Sequence, residues 1–155
     1  MKKILFLLIF SIFIVGAVGI IYLKSNPPLV INGYKSFDDN AKIRLIEIEN
    51  KGIRELQLQN VVVNDGLPEN AELVVSKAEQ LETDVPNDPN ITFHGIKQIK
   101  LFPSRYIDRK AVGKLPQHFG LKIEATDIQK ITIHYKYLKI PFTLSVELKT
   151  VEQNT

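Results

Sequence analysis

The side chains best suited to hold a metal or move a proton are three histidines, His94, His118 and His134. A metal centre takes three or four ligands at a recognisable local spacing. None of the three sits at such a spacing from another His, Asp or Glu. The acidic stretch EQLETDVPNDPN supplies Glu79, Glu82, Asp84 and Asp88. It lacks the ordered alternation and loop glycine of a calcium loop, and Pro86 and Pro89 make it a stiff exposed connection. Beyond residue 24 the serines are Ser25, Ser36, Ser76, Ser104 and Ser145. None lies between glycines as in a nucleophile elbow, and Ser76-Lys77 lacks the Ser-x-x-Lys spacing. The glycines fall one per turn and build no phosphate-cradling loop. No catalytic, cofactor-binding or metal-ligating residue is therefore assigned, and no cofactor is expected. One stretch, SRYIDRKAVGKLPQH, sets Arg105, Arg109, Lys110 and Lys114 against Asp108 alone. Such a loop can touch lipid headgroups, a polyanionic polymer or an acidic partner, at about 1 kcal/mol per charge near an anionic surface.

The first element that must position these residues is MKKILFLLIFSIFIVGAVGIIYLKSNPP. Lys2 and Lys3 precede a run without charge, Ile4 to Leu23, whose weak points are Ser11, Gly16 and Gly19. Twenty helical residues cover roughly 30 Å, the thickness of a bilayer's hydrocarbon core. The paired lysines favour the cytoplasmic side, and Tyr22 and Lys24 fall where an interfacial belt belongs. The expectation is a retained single-pass helix over 1–23, N-terminus inside, with the lipid bilayer as its partner. The alternative is a secreted chain cut after Ala17-Val18-Gly19, before Ile20. Against it, the apolar run continues through Ile20, Ile21, Tyr22 and Leu23. With no cysteine, the chain carries no lipid on a thiol and no disulfide framework. Gly16 and Gly19 are too close for a G-x-x-x-G dimer face.

The chain has 20 Lys+Arg and 17 Asp+Glu. Setting Lys2 and Lys3 aside leaves 18 basic residues against 17 acidic ones. The basic pI, near 9.0, therefore belongs partly to the anchor flank and gives no reason to expect nucleic acid. The rest, about 130 residues, suits one domain with a real core. Residues 24–30 are expected to be a short stiff spacer, 31–150 an extracytoplasmic domain and 151–155 a tail.

Within 31–150 the pattern is short apolar runs of period two, broken by turn residues. AKIRLIEIENKGIRELQLQNVVVNDG reads as two strands hinged at Asn50-Lys51-Gly52 and closed by Asn64-Asp65-Gly66, with glycine supplying positive φ. A parity shift near Gln59-Asn60 predicts a bulge or burial on both faces. Further strands are expected at Ala71–Ala78, Ile91–Phe93, Ile96–Phe102 and Phe119–Glu124. In the last pair, Ile131, Ile133, Tyr135 and Tyr137 share one face, then Ile140, Phe142, Leu144, Val146 and Leu148 share another, with a turn at Leu138-Lys139. Pro141 cannot donate to a ladder, so it belongs at an edge or a strand start. With the basic loop it completes the candidate interaction surface. The best helical candidate beyond the anchor is Ser104 to Gly113, with Ser104 as cap and Gly113 as stop.

Seven to eight such strands imply an all-β, antiparallel sandwich. The turn in IEIENKGIRELQLQNVVVNDG resembles those of bacterial immunoglobulin-like modules. The closing hairpin, KITIHYKYLKIPFTLSVELK, is similar to the last strands of small, single-pass membrane proteins of Bacillus-type bacteria. The resemblance covers about two-thirds of the exported part. It implies an immunoglobulin-like sandwich at the outer face of a Gram-positive cytoplasmic membrane, with no activity to carry over. The function expected is non-catalytic binding of an envelope protein or polymer through loops or an edge strand. Two alternatives stand beside it. One is a small envelope enzyme or metal-dependent binder using His94 or His118 with the acidic loop. The other is a passive subunit of a larger membrane complex.

Overall fold

The structure is a computed structural model that describes residues 2–37, 40–81 and 88–148; the side chains of Lys2, Leu5, Leu8, Phe37, Asn40 and Ala41 are outside the description. Glu82, Asp84 and Pro86 of the acidic stretch and the tail 151–155 also lie outside it. The chain begins with one helix, α1 (Lys2–Ser25). Neither charge nor proline interrupts its middle, and Ser11 returns its hydroxyl to the Leu7 carbonyl at 2.8 Å. The helix stops where the amide and side chain of Asn26 both donate to the Tyr22 carbonyl, ahead of Pro27-Pro28. Its described apolar side chains are exposed on every side as far as Tyr22. Among the described residues no helix is long and apolar enough to cross a membrane; the side chains of Leu5 and Leu8, inside the apolar run, are not among them.

Among the described residues nine strands follow: β1 (Leu29–Phe37), β2 (Asn40–Asn50), β3 (Leu56–Val63), β4 (Asn70–Ser76), β5 (Ile91–Gly95), β6 (Lys100–Leu101), β7 (His118–Glu124), β8 (Lys130–Tyr137) and β9 (Ile140–Glu147). They form a five-stranded sheet, β1-β2-β7-β4-β5, and a four-stranded sheet, β6-β3-β8-β9, with antiparallel neighbours throughout. Inward residues of both sheets, among them Ile46, Ile48, Leu121 and Ile123 against Leu56, Leu58, Ile131 and Ile133, form one continuous core. The molecule beyond α1 is thus an antiparallel, sandwich-like all-β body, as the alternation predicts.

Several local expectations hold. Tyr137 pairs with Ile140 across a two-residue turn in which Leu138 and Lys139 have φ of 51° and 67°. Those signs match the twist of the flanking strands. A bulge interrupts β3 between Leu58 and Asn60. Pro141 sits near the start of β9, the edge strand of the smaller sheet, where its missing N–H costs no ladder bond.

Others are corrected. The spacer is shorter than 24–30, because Leu29 already lies in β1 and is fully buried. β1 is the ninth strand, hidden in the sequence by Asn32-Gly33, where a register shift between Ile31 and Gly33 absorbs the turn-like pair. The segment Asn50–Gly52 closes no hairpin, since β2 and β3 belong to different sheets. The Asn50 side chain instead holds the crossing, donating to the Arg54 and Leu101 carbonyls and accepting from the Gly52 amide. A Cβ on Gly52 would stand 2.8 Å from the Tyr137 ring, so glycine serves close approach there. At the next turn the positive φ falls on Asn64 and Asp65 rather than on Gly66. Ile96–Phe102 pairs only through Lys100–Leu101, because the chain must leave the larger sheet and reach the smaller one. Ser104–Gly113 is no α-helix. It holds a single 3-10 turn, Ser104–Tyr106, flanked by Pro103 and without a side-chain cap. A segment this short does not nucleate a helix without a packed face.

Candidate functional site

Alternation along β2 sends Ile46 and Ile48 into the core and leaves Leu45, Glu47 and Glu49 on the outer face of the five-stranded sheet. On neighbouring β7, pairing of Glu47 with Gly120 and of Ile48 with Phe119 brings His118 beside both carboxylates. This outer face is covered. Leu45, Val74 and Leu81 form a second small apolar cluster, with Leu81 folded down from the connection after β4. A Cβ on Gly120 would meet Leu81 at 2.9 Å, Leu45 at 3.1 Å and the Ile46 carbonyl at 3.3 Å. The absent side chain at Gly120 is what lets the strap lie flat on the sheet.

His118 locks the same strap. Its Nδ1 lies 2.9 Å from Glu47 Oε1, and its Nε2 lies 2.8 Å from the Glu79 carbonyl oxygen. Both partners only accept, so a neutral ring makes one of these bonds and a doubly protonated ring makes both. Both ring nitrogens are thus turned towards acceptors of the protein itself. Grooves of about 420 Å³ and about 200 Å³ flank the pair. The larger runs under Tyr34, Lys35 and Gln80; the smaller runs under the β6–β7 connection beside Glu49, Arg109 and Gln117.

Glu49 is the most electrostatically engaged carboxylate of this face. Burial pushes its pKa up, but hydrogen bonds from Ser104 and Asn32 and the charges of Lys51 and Arg109 outweigh burial, leaving a net value below the ordinary one. Asn32 donates to it at 3.0 Å, and Lys51 stands 4.0 Å away. Gln117, 1 % exposed, donates through Nε2 to the Asp108 and Leu115 carbonyls. Its Oε1 has no partner among the described residues. The other buried orphan is the Tyr135 hydroxyl, in the core between the sheets. Burial raises its pKa, and the nearby Leu29 backbone, short of an ordinary hydrogen bond, offsets that only in part.

The residues singled out in the sequence are scattered rather than gathered. Arg109 lines the smaller groove, where its charge reaches Glu49. Arg105 turns to the end of the sandwich, its guanidinium 4.9 Å from the Tyr106 ring centre and donating to the Ile53 carbonyl and the Tyr106 hydroxyl. Lys110 and Lys114 are exposed on the β6–β7 connection, and Pro141 is exposed on the opposite sheet. Of the other histidines, His94 meets the Thr92 hydroxyl at 2.9 Å and His134 that of Thr143 at 3.1 Å. Among the described residues no three of His, Asp and Glu converge as metal ligands. Sequence reasoning passed over Glu47, Glu49 and Gln117. The available signal was RLIEIEN, two acids set two apart in an apolar strand whose outer face must then be polar or covered.

The chain matches no family model, no curated protein and no solved structure.

Proposed function

We propose that the chain is a membrane-anchored, extracytoplasmic binding module without catalytic activity, held at the outer face of a bacterial cytoplasmic membrane by α1. The observation that carries this is the juxtaposition of an apolar helix, whose described side chains are exposed as far as Tyr22, with a body that begins almost at once. Its first buried residues, Pro28 and Leu29, come directly after the helix exit at Ser25. An isolated surface helix of this composition would be insoluble, whereas lipid solvates it and leaves its backbone bonds internal. The uncharged span Ile4 to Leu23 includes Leu5 and Leu8 and is long enough for a hydrocarbon core. Lys2 and Lys3 set the N-terminus inside.

The strand order supports an immunoglobulin-like architecture. Taking β1, β2, β3, β4, β7, β8 and β9 as the seven successive strands A to G, the sheets become A-B-E-D and C-F-G, with β5 and β6 inserted between D and E. The partner surface is the β6–β7 connection, with exposed Lys110 and Lys114 beside exposed Val112 and Leu115. That mixture suits an envelope protein or a polyanionic envelope polymer. Such a tether raises the effective concentration of a weak contact.

Two measurements test this. Alkaline carbonate should leave the full chain in the membrane pellet, and protease added outside should remove the strand-built body. A mature polypeptide free in the medium and starting at Ile20 would remove the anchor. Crosslinking in the native envelope should capture one recurring neighbour, lost on Lys110→Gln/Lys114→Gln; capture that ignores those charges would move the partner surface elsewhere.

A further inference from the structure

The end of the sandwich next to α1 is built differently from the rest of its surface. Leu23 packs on the core, and the Lys51 amide donates to the Pro28 carbonyl, so the β2–β3 crossing abuts the helix exit. A cleft of about 770 Å³ has Gly16, Gly19 and Ile20 of α1 on one wall and Ile53, Tyr137 and Leu138 on the other. At 1.5 Å of rise per residue, Gly19 lies about 6 Å and Gly16 about 10 Å below Leu23 along the helix. The tips carrying Ile53 and Leu138 therefore reach back beside the helix, and both are about half exposed, at 56 % and 48 %. Interfacial apolar segments sink to this depth, about 5–10 Å.

A second groove, about 690 Å³, shares these two residues and is lined also by Arg54, Lys100, Lys136 and Lys139. Its one acid, Glu55, pairs with Lys100 at 3.4 Å. Arg54, Lys136 and Lys139 have no ion-pair partner among the described residues. Tyr106, 64 % exposed, stands at the mouth. The tips are held rigidly: the Ile53 amide donates to the buried Tyr137 hydroxyl at 2.9 Å, and Leu138 sits in the tight turn between β8 and β9.

We infer that this groove binds the headgroup of an anionic glycerophospholipid from the bilayer that holds α1, with Ile53 and Leu138 inserted at the interface. The inference deepens the anchored reading and rests on it. Apolar tips beside Arg54, Lys136 and Lys139, cations without an ion-pair partner among the described residues, complement a surface that is greasy below and negative at the headgroups. Docking would fix the sandwich against the membrane, with Tyr106 at the start of the β6–β7 connection beside the headgroups.

The chain contains no tryptophan, so one introduced residue reports alone. Full-length protein carrying Ile53→Trp is reconstituted into phosphatidylcholine vesicles with and without phosphatidylglycerol, and quenching by brominated lipid is read. Strong quenching is expected only with phosphatidylglycerol. Neutralising Arg54, Lys136 and Lys139 together to Gln should lower the ratio of docked to free sandwich on the order of a hundredfold, about fivefold per charge. A parallel Ile12→Trp reporter tests the helix by itself. Helix quenched with the Ile53→Trp reporter dark to lipid in both vesicles overturns the groove and keeps the anchor. Quenching at position 53 that ignores both lipid charge and the triple neutralisation overturns headgroup recognition. A helix reporter untouched by lipid overturns the anchor, and the groove's role falls with it.

Discussion

The two outer faces of the sandwich differ in kind. Across β8 and β9 the smaller sheet is open, with Thr132 meeting Ser145 at 3.0 Å and His134 meeting Thr143 at 3.1 Å, side chains paired in solvent. The larger sheet is roofed by two connections, with Leu81 pressed on Leu45 and Val74, and with His118 tied to Glu47 and to the Glu79 carbonyl. Pairs such as those on the open face contribute a few tenths of a kcal/mol each. The roofed face adds burial, which scales at about 25 cal/mol per Å² of apolar surface, and makes its polar groups answer for their partners. On the roofed face His118 with Glu47 and Lys51 with Glu49 are held in relation to one another beside the loops that cover the sheet.

Substitutions on the two faces should behave differently, and the largest effect is expected at Gly120. Gly120→Val forces a branched side chain between Leu81 and the Ile46 carbonyl. It should lower stability by about 3 kcal/mol, read as a drop in Tm of the full chain in mild detergent. Leu81→Ala should cost about 2 kcal/mol by the same assay, since it removes the roof's apolar contact. An unchanged Tm would mean that the strap does not bear on the sheet.

Glu49 probes the roofed face through pH. Its folded pKa is depressed, so the carboxylate stays charged at lower pH than in the unfolded chain. The stability it contributes is complete above the unfolded value, about 4.3, and is lost as pH falls through the folded one. Glu49→Gln should therefore flatten the acid limb of the stability profile below about pH 4. A profile of unchanged shape would show that its hydrogen bonds do not persist in solution. The smallest effect belongs to the open face: His134→Ala should stay within about 0.5 kcal/mol of the parent.

Legibility in the sequence follows the same division. The open sheet is legible because β8 and β9 are buried on one face only, and Ile131, Ile133, Tyr135 and Tyr137 alternate with solvent-facing residues. The bulge in β3 and the turn at Leu138-Lys139 announce themselves as flips of that parity. The roofed sheet is less legible. Leu73, Val74 and Val75 are all buried, so period two vanishes where both faces are covered. β1 is hidden because Asn32-Gly33 carries the composition of a turn and works as an irregularity within a ladder.

Local chemistry along the chain is enough to specify an apolar N-terminal helix, a strand-built remainder without disulfides, and the positions of most strands. Each of these follows from hydrophobic period and from residues that bend or cannot pair. Long-range packing alone settles which strands share a sheet, and hence that Asn50–Gly52 is a crossing and that Glu47, Glu49, His118 and Gln117 meet beneath two loops. A strand's own pattern records which of its sides is apolar, whereas its neighbour across a ladder is chosen by the fit of the whole chain.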